Sequence, residues 1–307
     1  MSLQADYVVD RRRLKRRLVF WRLCALVLLA VAGVALTNTD KVTGGDHIAR
    51  LAISGIIVDD FDREQTLKKL KDDPTIRALI VRIDSPGGTV VGGENLYHQL
   101  KAIGTEKPVV AVMGSVATSA GYMAARGGDY LIARAGSLTG SIGVLLQTAD
   151  ITGLLDTIGI KPETIKSTPL KAQPNPLEPF TPEARAAIQG VVMDMYTLFV
   201  EMVAGRRKMP IEQARALADG RVYTGREALA NGLIDALGGE SEAIDWLVKS
   251  KNIPSGLRVQ DVEIDRQEQG WRQFFGAMIG QTLSPESLGL GGLGLDGLVS
   301  LWHPDRR

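Results

Sequence analysis

The chain has 307 residues, 45% of them hydrophobic and 23% charged, with a net charge of +1. That length can bury a substantial core, and the near-zero charge excludes a nucleic-acid binder that works through a global positive field. The single cysteine, Cys24, excludes an internal disulfide and a cysteine-built metal site.

The charge is unevenly spread. Residues 1–22 hold seven Arg or Lys against Asp6 and Asp10, a net +5, which leaves about −4 for the rest. This basic segment, residues 1–17, leads into an apolar run that is uninterrupted from Leu23 to Leu36. Counted from Leu18, the run approaches the ~20 residues that cross a bilayer, with Arg22 able to snorkel toward the headgroups. The expectation is a single transmembrane signal-anchor over residues 18–37. Its basic flank would stay in the cytoplasm, and everything after Thr37 would lie outside. A cleaved signal peptide is the alternative.

From His47 short apolar strands alternate with amphipathic helices. "HIARLAISGIIV" reads as strand and "REQTLKKLKDD" as helix; "IRALIVRID" is a strand ending in the turn "SPGG". "GENLYHQLKAIG" is a helix with Leu96, Leu100 and Ile103 on one face. "PVVAVMG" is a strand that runs into the short helix "TSAGYMAAR"; "YLIARAG" and "SIGVLLQ" read as strands and "ITGLLDTIG" as a helical turn. This alternation predicts a parallel sheet covered by helices.

A proline-rich loop, "STPLKAQPNPLEPF", precedes a helix that starts at Thr181–Pro182 and runs to about Ala204. "PIEQARALADG", a capping box at Thr224 and Glu227, and a helix over "SEAIDWLVKSKN" complete one domain of residues 45–255. Residues 256–307 form a tail, with Trp271, Phe274, Phe275, Met278 and Ile279 on one helical face.

The chemistry is bounded first by what is missing. A Ser–His–Asp triad needs a histidine beside its serine, and His47, His98 and His303 are poorly placed for it. No G-x-S-x-G, H-E-x-x-H or phosphate-loop pattern is present. Two glycine-rich turns remain, each at the carboxyl end of a predicted strand, where open α/β sheets place their sites. In "DSPGGTV" the glycines free main-chain N–H groups to face developing negative charge. In "MGSVATSAGY", Ser119 stands at a helix start with the Ala120 N–H following it. Each turn alone is ordinary.

Together, "DSPGGTV", "MGSVATSAGY", "TGSIGV", "IKSTPLKA" and "ADGRVYTGREALANGLIDALGG" resemble the S49 peptidases, the bacterial signal peptide peptidase A family, in its short single-unit form. The match spans roughly residues 48–245, in the family's order. The resemblance implies a crotonase/ClpP-like α/β fold and a Ser–Lys dyad, with Ser119 as nucleophile and Lys171 as base. Ser141 would orient the lysine, and the backbone N–H groups of Gly88 and Ala120 would form the oxyanion hole. No cofactor or metal is implied.

A lysine has a free pKa near ~10.4 and becomes a usable base only when kept dry. Lys171 has no acidic neighbour within six positions, whereas Lys161 and Lys166 are rivals. The resemblance further implies a homo-oligomeric ring or dome, an octamer among its forms, with the dyad shared between protomers. Expected substrates are leftover signal peptides and other short hydrophobic peptides, cleaved at the outer face of the cytoplasmic membrane. The other readings are an inactive S49-like membrane scaffold and a crotonase-type acyl-thioester enzyme.

Overall fold

The computed structural model describes residues 17–29, 45–264 and 299–301. They fall into two units divided after Gly45. The first contains helix α1, residues 17–29, whose large apolar side chains from Leu18 to Leu29 are all more than half exposed. The remainder of the expected anchor, residues 30–37, lies outside the described residues, as does the apolar face at Trp271–Ile279.

The second unit is built on β1 (His47–Ile57), β2 (Ile76–Thr89) and β3 (Val109–Thr118), with α2 (Phe61–Asp72) and α3 (Val90–Ile103) as the crossovers. Register follows the apolar pattern: Leu79, Val81 and Ile83 pack on one face of β2 with Leu96 and Leu100, while Ala78 and Ile80 pack on the other with Val110 and Ile132. Strands buried on both faces need helices on both sides. The first face is covered by α2, α3, α4 (Ala120–Ala125) and the last third of α6 (Pro182–Arg207); the second is covered by α9 (Glu240–Lys251), through Ala243 and Leu247.

The sheet order is β6-β5-β3-β2-β1-β8, where β5 is Leu138–Gly140, β6 is Val222–Thr224 and β8 is Arg258–Val262. Strands β4 (Tyr130–Ala133) and β7 (Ala236–Leu237) extend it beside β3, and β9 (Val299–Leu301) pairs with β2. The sheet is mixed rather than parallel throughout, because β5–β6 and β2–β9 run antiparallel. It also continues past residue 255, since β8 pairs with β1 from His47↔Arg258 to Leu51↔Val262.

Two further sequence expectations change. "SPGG" is not a turn: β2 stays extended to Thr89, because Gly87 and Gly88 continue the ladder opposite Ile56 and Ile57. "SIGVLLQ" is not a strand. The strand is Leu138–Gly140, and Ser141 takes φ 51°, which breaks the extended run. The remaining helices are α5 (Thr152–Thr157), α7 (Ile211–Ala216) and α8 (Gly225–Ala230). Thr181 caps α6 by accepting from the Ala184 N–H, and Thr224 with Glu227 forms the expected capping box of α8.

α6 is long and apolar enough to cross a membrane by composition, but its Phe199, Val200 and Val203 are buried in the core. Its first half is mostly exposed, including Val191 and Met193.

Candidate active site

Ser119 sits between β3 and α4 with φ 57° and ψ −121°, a conformation that L-residues adopt only under strain. Two backbone hydrogen bonds hold it there. Its N–H donates to the Gly140 carbonyl at 2.8 Å, and its carbonyl accepts the Met123 N–H at 2.8 Å. The residue is buried, as is every residue of α4.

The composition of α4, "AGYMAA", answers a space requirement. A Cβ at Gly121 would lie 3.0 Å from the Ser85 carbonyl oxygen, and one at Gly93 of α3 would lie 3.0 Å from the Ala120 Cβ. Small residues therefore let α4 lie against both β2 and α3. Its far end is held by Arg206 of α6, whose Nε donates to the Arg126 carbonyl at 3.0 Å and whose Nη2 donates to that of Gly128 at 2.6 Å. Tyr122 donates its hydroxyl to the Leu233 carbonyl at 2.9 Å, and burial raises its pKa.

Arg126, at the end of α4, is buried with its guanidinium over the Tyr122 ring. Its Nε and Nη2 have no hydrogen-bond partner among the described residues, and burial lowers its pKa to about 10.

The second glycine-rich segment is clipped to the first. Ser85 pairs with Ala117 in the β2–β3 ladder, and the Thr118 hydroxyl donates to the Pro86 carbonyl at 3.0 Å. The buried Ser85 hydroxyl accepts the Gly87 N–H at 3.1 Å and donates to the Gly87 carbonyl at 3.2 Å. Gly88 lies so close to β1 that a Cβ there would be 1.8 Å from the Ile57 oxygen, a position only glycine can fill.

Ser141 follows Gly140, whose carbonyl holds Ser119, and its own N–H donates to the Arg221 carbonyl at 2.8 Å. Ser119, Ala120, Gly88 and Ser141 are thus gathered at the carboxyl ends of β2, β3 and β5, the end of a sheet where side chains and backbone donors can converge on a ligand.

Lys171 is not in that group. It lies in an exposed turn, its backbone N–H donating to the Thr168 carbonyl at 3.1 Å, and no hydrogen bond links its amine to Ser119. The rival Lys166 is engaged: its ammonium pairs with Glu178, which also accepts from Gln173 at 2.7 Å. The hydrogen bond from Lys166 lowers the Glu178 carboxyl pKa. The surrounding segment, 143–181, is largely exposed and includes Leu154, Ile158 and Ile165.

Ser85 and Thr118 were missed by sequence reasoning. Both are buried hydroxyls whose only sequence signal is their adjacency to the two glycine turns. A separate cleft of about 570 Å³ lies at the opposite end of β2 and β3, beside Ile76 and Pro108. Its buried amine, Lys107, is already satisfied by the Leu70 and Asp73 carbonyls.

Residues 101–254 match the model of peptidase family S49. A protein of Synechocystis sp. carrying a protease name, slr0021, is 38% identical over 230 residues, which cover 74% of this chain and 81% of that protein. Serine protease SPPA of Arabidopsis thaliana chloroplasts is 35% identical over 66% of this chain and 30% of its own length. Protease 4 of Salmonella typhi is 34% identical over 67% of this chain and 35% of its own length. The chain therefore spans about a third of the two longer relatives.

Proposed function

This chain belongs to peptidase family S49, and on that premise we propose that it is a serine endopeptidase in which Ser119 is the nucleophile and Lys171 the base. The observation that carries this reading is the strained backbone of Ser119, fixed by Gly140 and clipped through Thr118 and Ser85 to the strand that bears Gly88. Strain that neighbouring structure over-determines is typical of reacting residues.

In the proposed cycle the Ser119 hydroxyl attacks a peptide carbonyl and passes its proton to an uncharged lysine amine. The Gly88 and Ala120 N–H groups receive the oxyanion. The lysine then protonates the leaving amine, and water releases the acyl-enzyme by the reverse proton path.

The exposed position of Lys171 supports a base delivered between copies. Its segment carries apolar residues toward solvent, as does the first half of α6. A second protomer covering both would dry the amine and favour its neutral form. Ser141, beside the Gly140 anchor, would orient that incoming amine.

The exposed apolar side chains of α1 and its basic flank support anchoring in the cytoplasmic membrane with the peptidase outside. Remnant signal peptides and similar short apolar peptides are the substrates this placement favours.

The test is complementation. Ser119→Ala and Lys171→Ala should each abolish hydrolysis of a fluorogenic peptide. Mixing the two dissociated, inactive variants and letting them reassemble should restore a fraction of the activity. Full activity in either single variant refutes the dyad, and no recovery on mixing refutes the shared site.

A further inference from the structure

Lys171, the proposed base, sits in a segment with no core of its own. None of residues 143–181 is buried, and the chain forms neither helix nor strand between α5 and α6. A catalytic amine nevertheless needs a fixed place, because a displacement of about 1 Å at a reacting group can cost ~10²-fold in rate. Without apolar packing, polar contacts have to fix it.

The Glu178 carboxylate is the point on which the segment closes. Its Oε2 accepts both the Lys166 ammonium, twelve positions back, and the Gln173 amide at 2.7 Å. Lys171 lies between those two donors in the chain. The Lys166 and Glu178 side chains are only 12% and 23% exposed, whereas Lys171 faces solvent. A charge-assisted bond partly withdrawn from water holds better than one on the surface. Inside the loop, the Lys171 N–H donates to the Thr168 carbonyl at 3.1 Å, the Gln173 N–H to that of Leu170 at 3.3 Å, and the Asn175 Nδ2 to that of Ala172 at 3.0 Å. The Pro176 carbonyl accepts the Ile151 N–H at 3.1 Å, which fastens the loop to the start of α5. Local turns set the bend at Lys171; Glu178 joins one end of the loop to the other.

We propose that Glu178 is a positioning residue for the base: by binding Lys166 and Gln173 at once, it closes residues 166–178 into a ring that holds the Lys171 amine where a serine can use it. The proposal rests on the reading of Lys171 as base for its kinetic consequence, but not for the ring itself. Hydrogen bonding from Lys166 leads the effects that hold the Glu178 carboxyl below its usual range, with smaller contributions from Thr164 and Asn175, so the hub is ionised at neutral pH. The rival lysine thereby gains a role, as fastener rather than base. Losing Lys166 leaves the Gln173 bond in place, whereas losing the carboxylate releases both donors together.

The experiment compares the full chain with full-length Glu178→Ala, Glu178→Gln and Lys166→Met. Amide hydrogen exchange over residues 164–178 reads the ring directly. In Glu178→Ala the Lys171 and Gln173 amides should exchange about tenfold or more faster. The global unfolding midpoint should hold, since the segment buries no residue.

In the hydrolysis assay an unfastened loop presents the amine for a smaller share of the time. For Glu178→Ala, kcat should therefore fall about tenfold or more, with KM within about twofold. Glu178→Gln keeps an acceptor oxygen at the same reach and should return kcat to within about threefold of the unaltered chain, as should Lys166→Met. Unchanged exchange in Glu178→Ala overturns the ring. Faster exchange with kcat within about threefold, or with the loss confined to KM, overturns the positioning role, and so does an equal loss in Glu178→Gln. Faster exchange beside full activity of Lys171→Ala upholds the ring and refutes the choice of base instead.

Discussion

Substituting Gly88 by alanine should separate the backbone donor from the nucleophile without touching a side chain. The added Cβ would lie 1.8 Å from the Ile57 oxygen, 2.5 Å from its carbon and 2.6 Å from its nitrogen, all main-chain atoms that no rotamer can move. Restoring an ordinary ~3.5 Å contact requires β1 and β2 to part by ~1.7 Å at this point. An oxyanion donor works only within a few tenths of an ångström of its place, and losing one costs about 10²–10³ in kcat, or ~3–4 kcal/mol.

The expected result for Gly88→Ala is a kcat at least ~10²-fold below wild type, with a much smaller change in KM. Ser119 should still be labelled, slowly, by a serine-reactive probe. Gly143→Ala is the control, since among the described residues its Cβ would meet only the Gly220 Cα at 3.6 Å. The assay is steady-state hydrolysis of a fluorogenic peptide, with active sites counted by the probe and folding checked by circular dichroism. A folded Gly88→Ala enzyme with kcat within about threefold of wild type would refute the role of this backbone donor.

Lys171→Ala should lose about 10²–10⁴ in kcat, whereas Lys166→Met should stay active because the Lys166 amine is already paired with Glu178; the same assay applied to both variants decides between them. Ser85→Ala frees Gly87 from its hydroxyl bridge and should lower kcat by about tenfold while leaving probe labelling complete. Thr224→Ala removes the capping-box hydroxyl of α8 and should cost about 1 kcal/mol in urea unfolding, with Thr224→Ser nearly neutral. Arg126→Met should stabilise the fold at pH 7, because burial pushes the guanidinium pKa down to about 10, a penalty on the order of 3 kcal/mol. Below pH 10 the folded chain carries that penalty in full. As pH rises above 10 the folded state sheds the proton before the unfolded chain does, so the advantage of the methionine variant should shrink; a pH-independent difference in unfolding midpoint contradicts the cause.

Much of the scaffold could be read from residue order, because short-range chemistry sets it. Thr181–Pro182 and Thr224–Glu227 are local caps, and the apolar runs of β2 and β3 demand cover on both faces. The errors have a common origin in partners distant along the chain. "SPGG" carries the local marks of a turn, yet Gly87 and Gly88 are extended because β1 lies against them. "SIGVLLQ" has the composition of a strand, yet the ladder is made one step earlier, at Leu138–Gly140, by pairing with β6. β9 had no local signature, since Val299–Leu301 becomes a strand only through the edge that β3 abandons. The turn at Ser119 was legible as a serine among glycines. The clamps around it, Ser85 and Thr118, were not, because a buried hydroxyl looks like any other until its acceptor is known.

Arg206 joins two helix ends. By gripping the carbonyls of Arg126 and Gly128 it tethers the end of α4 to the end of α6. A six-residue helix is too short to flex, and a close-packed interior passes displacement on rather than absorbing it. The posture of the serine is thus tied to where the buried end of α6 rests.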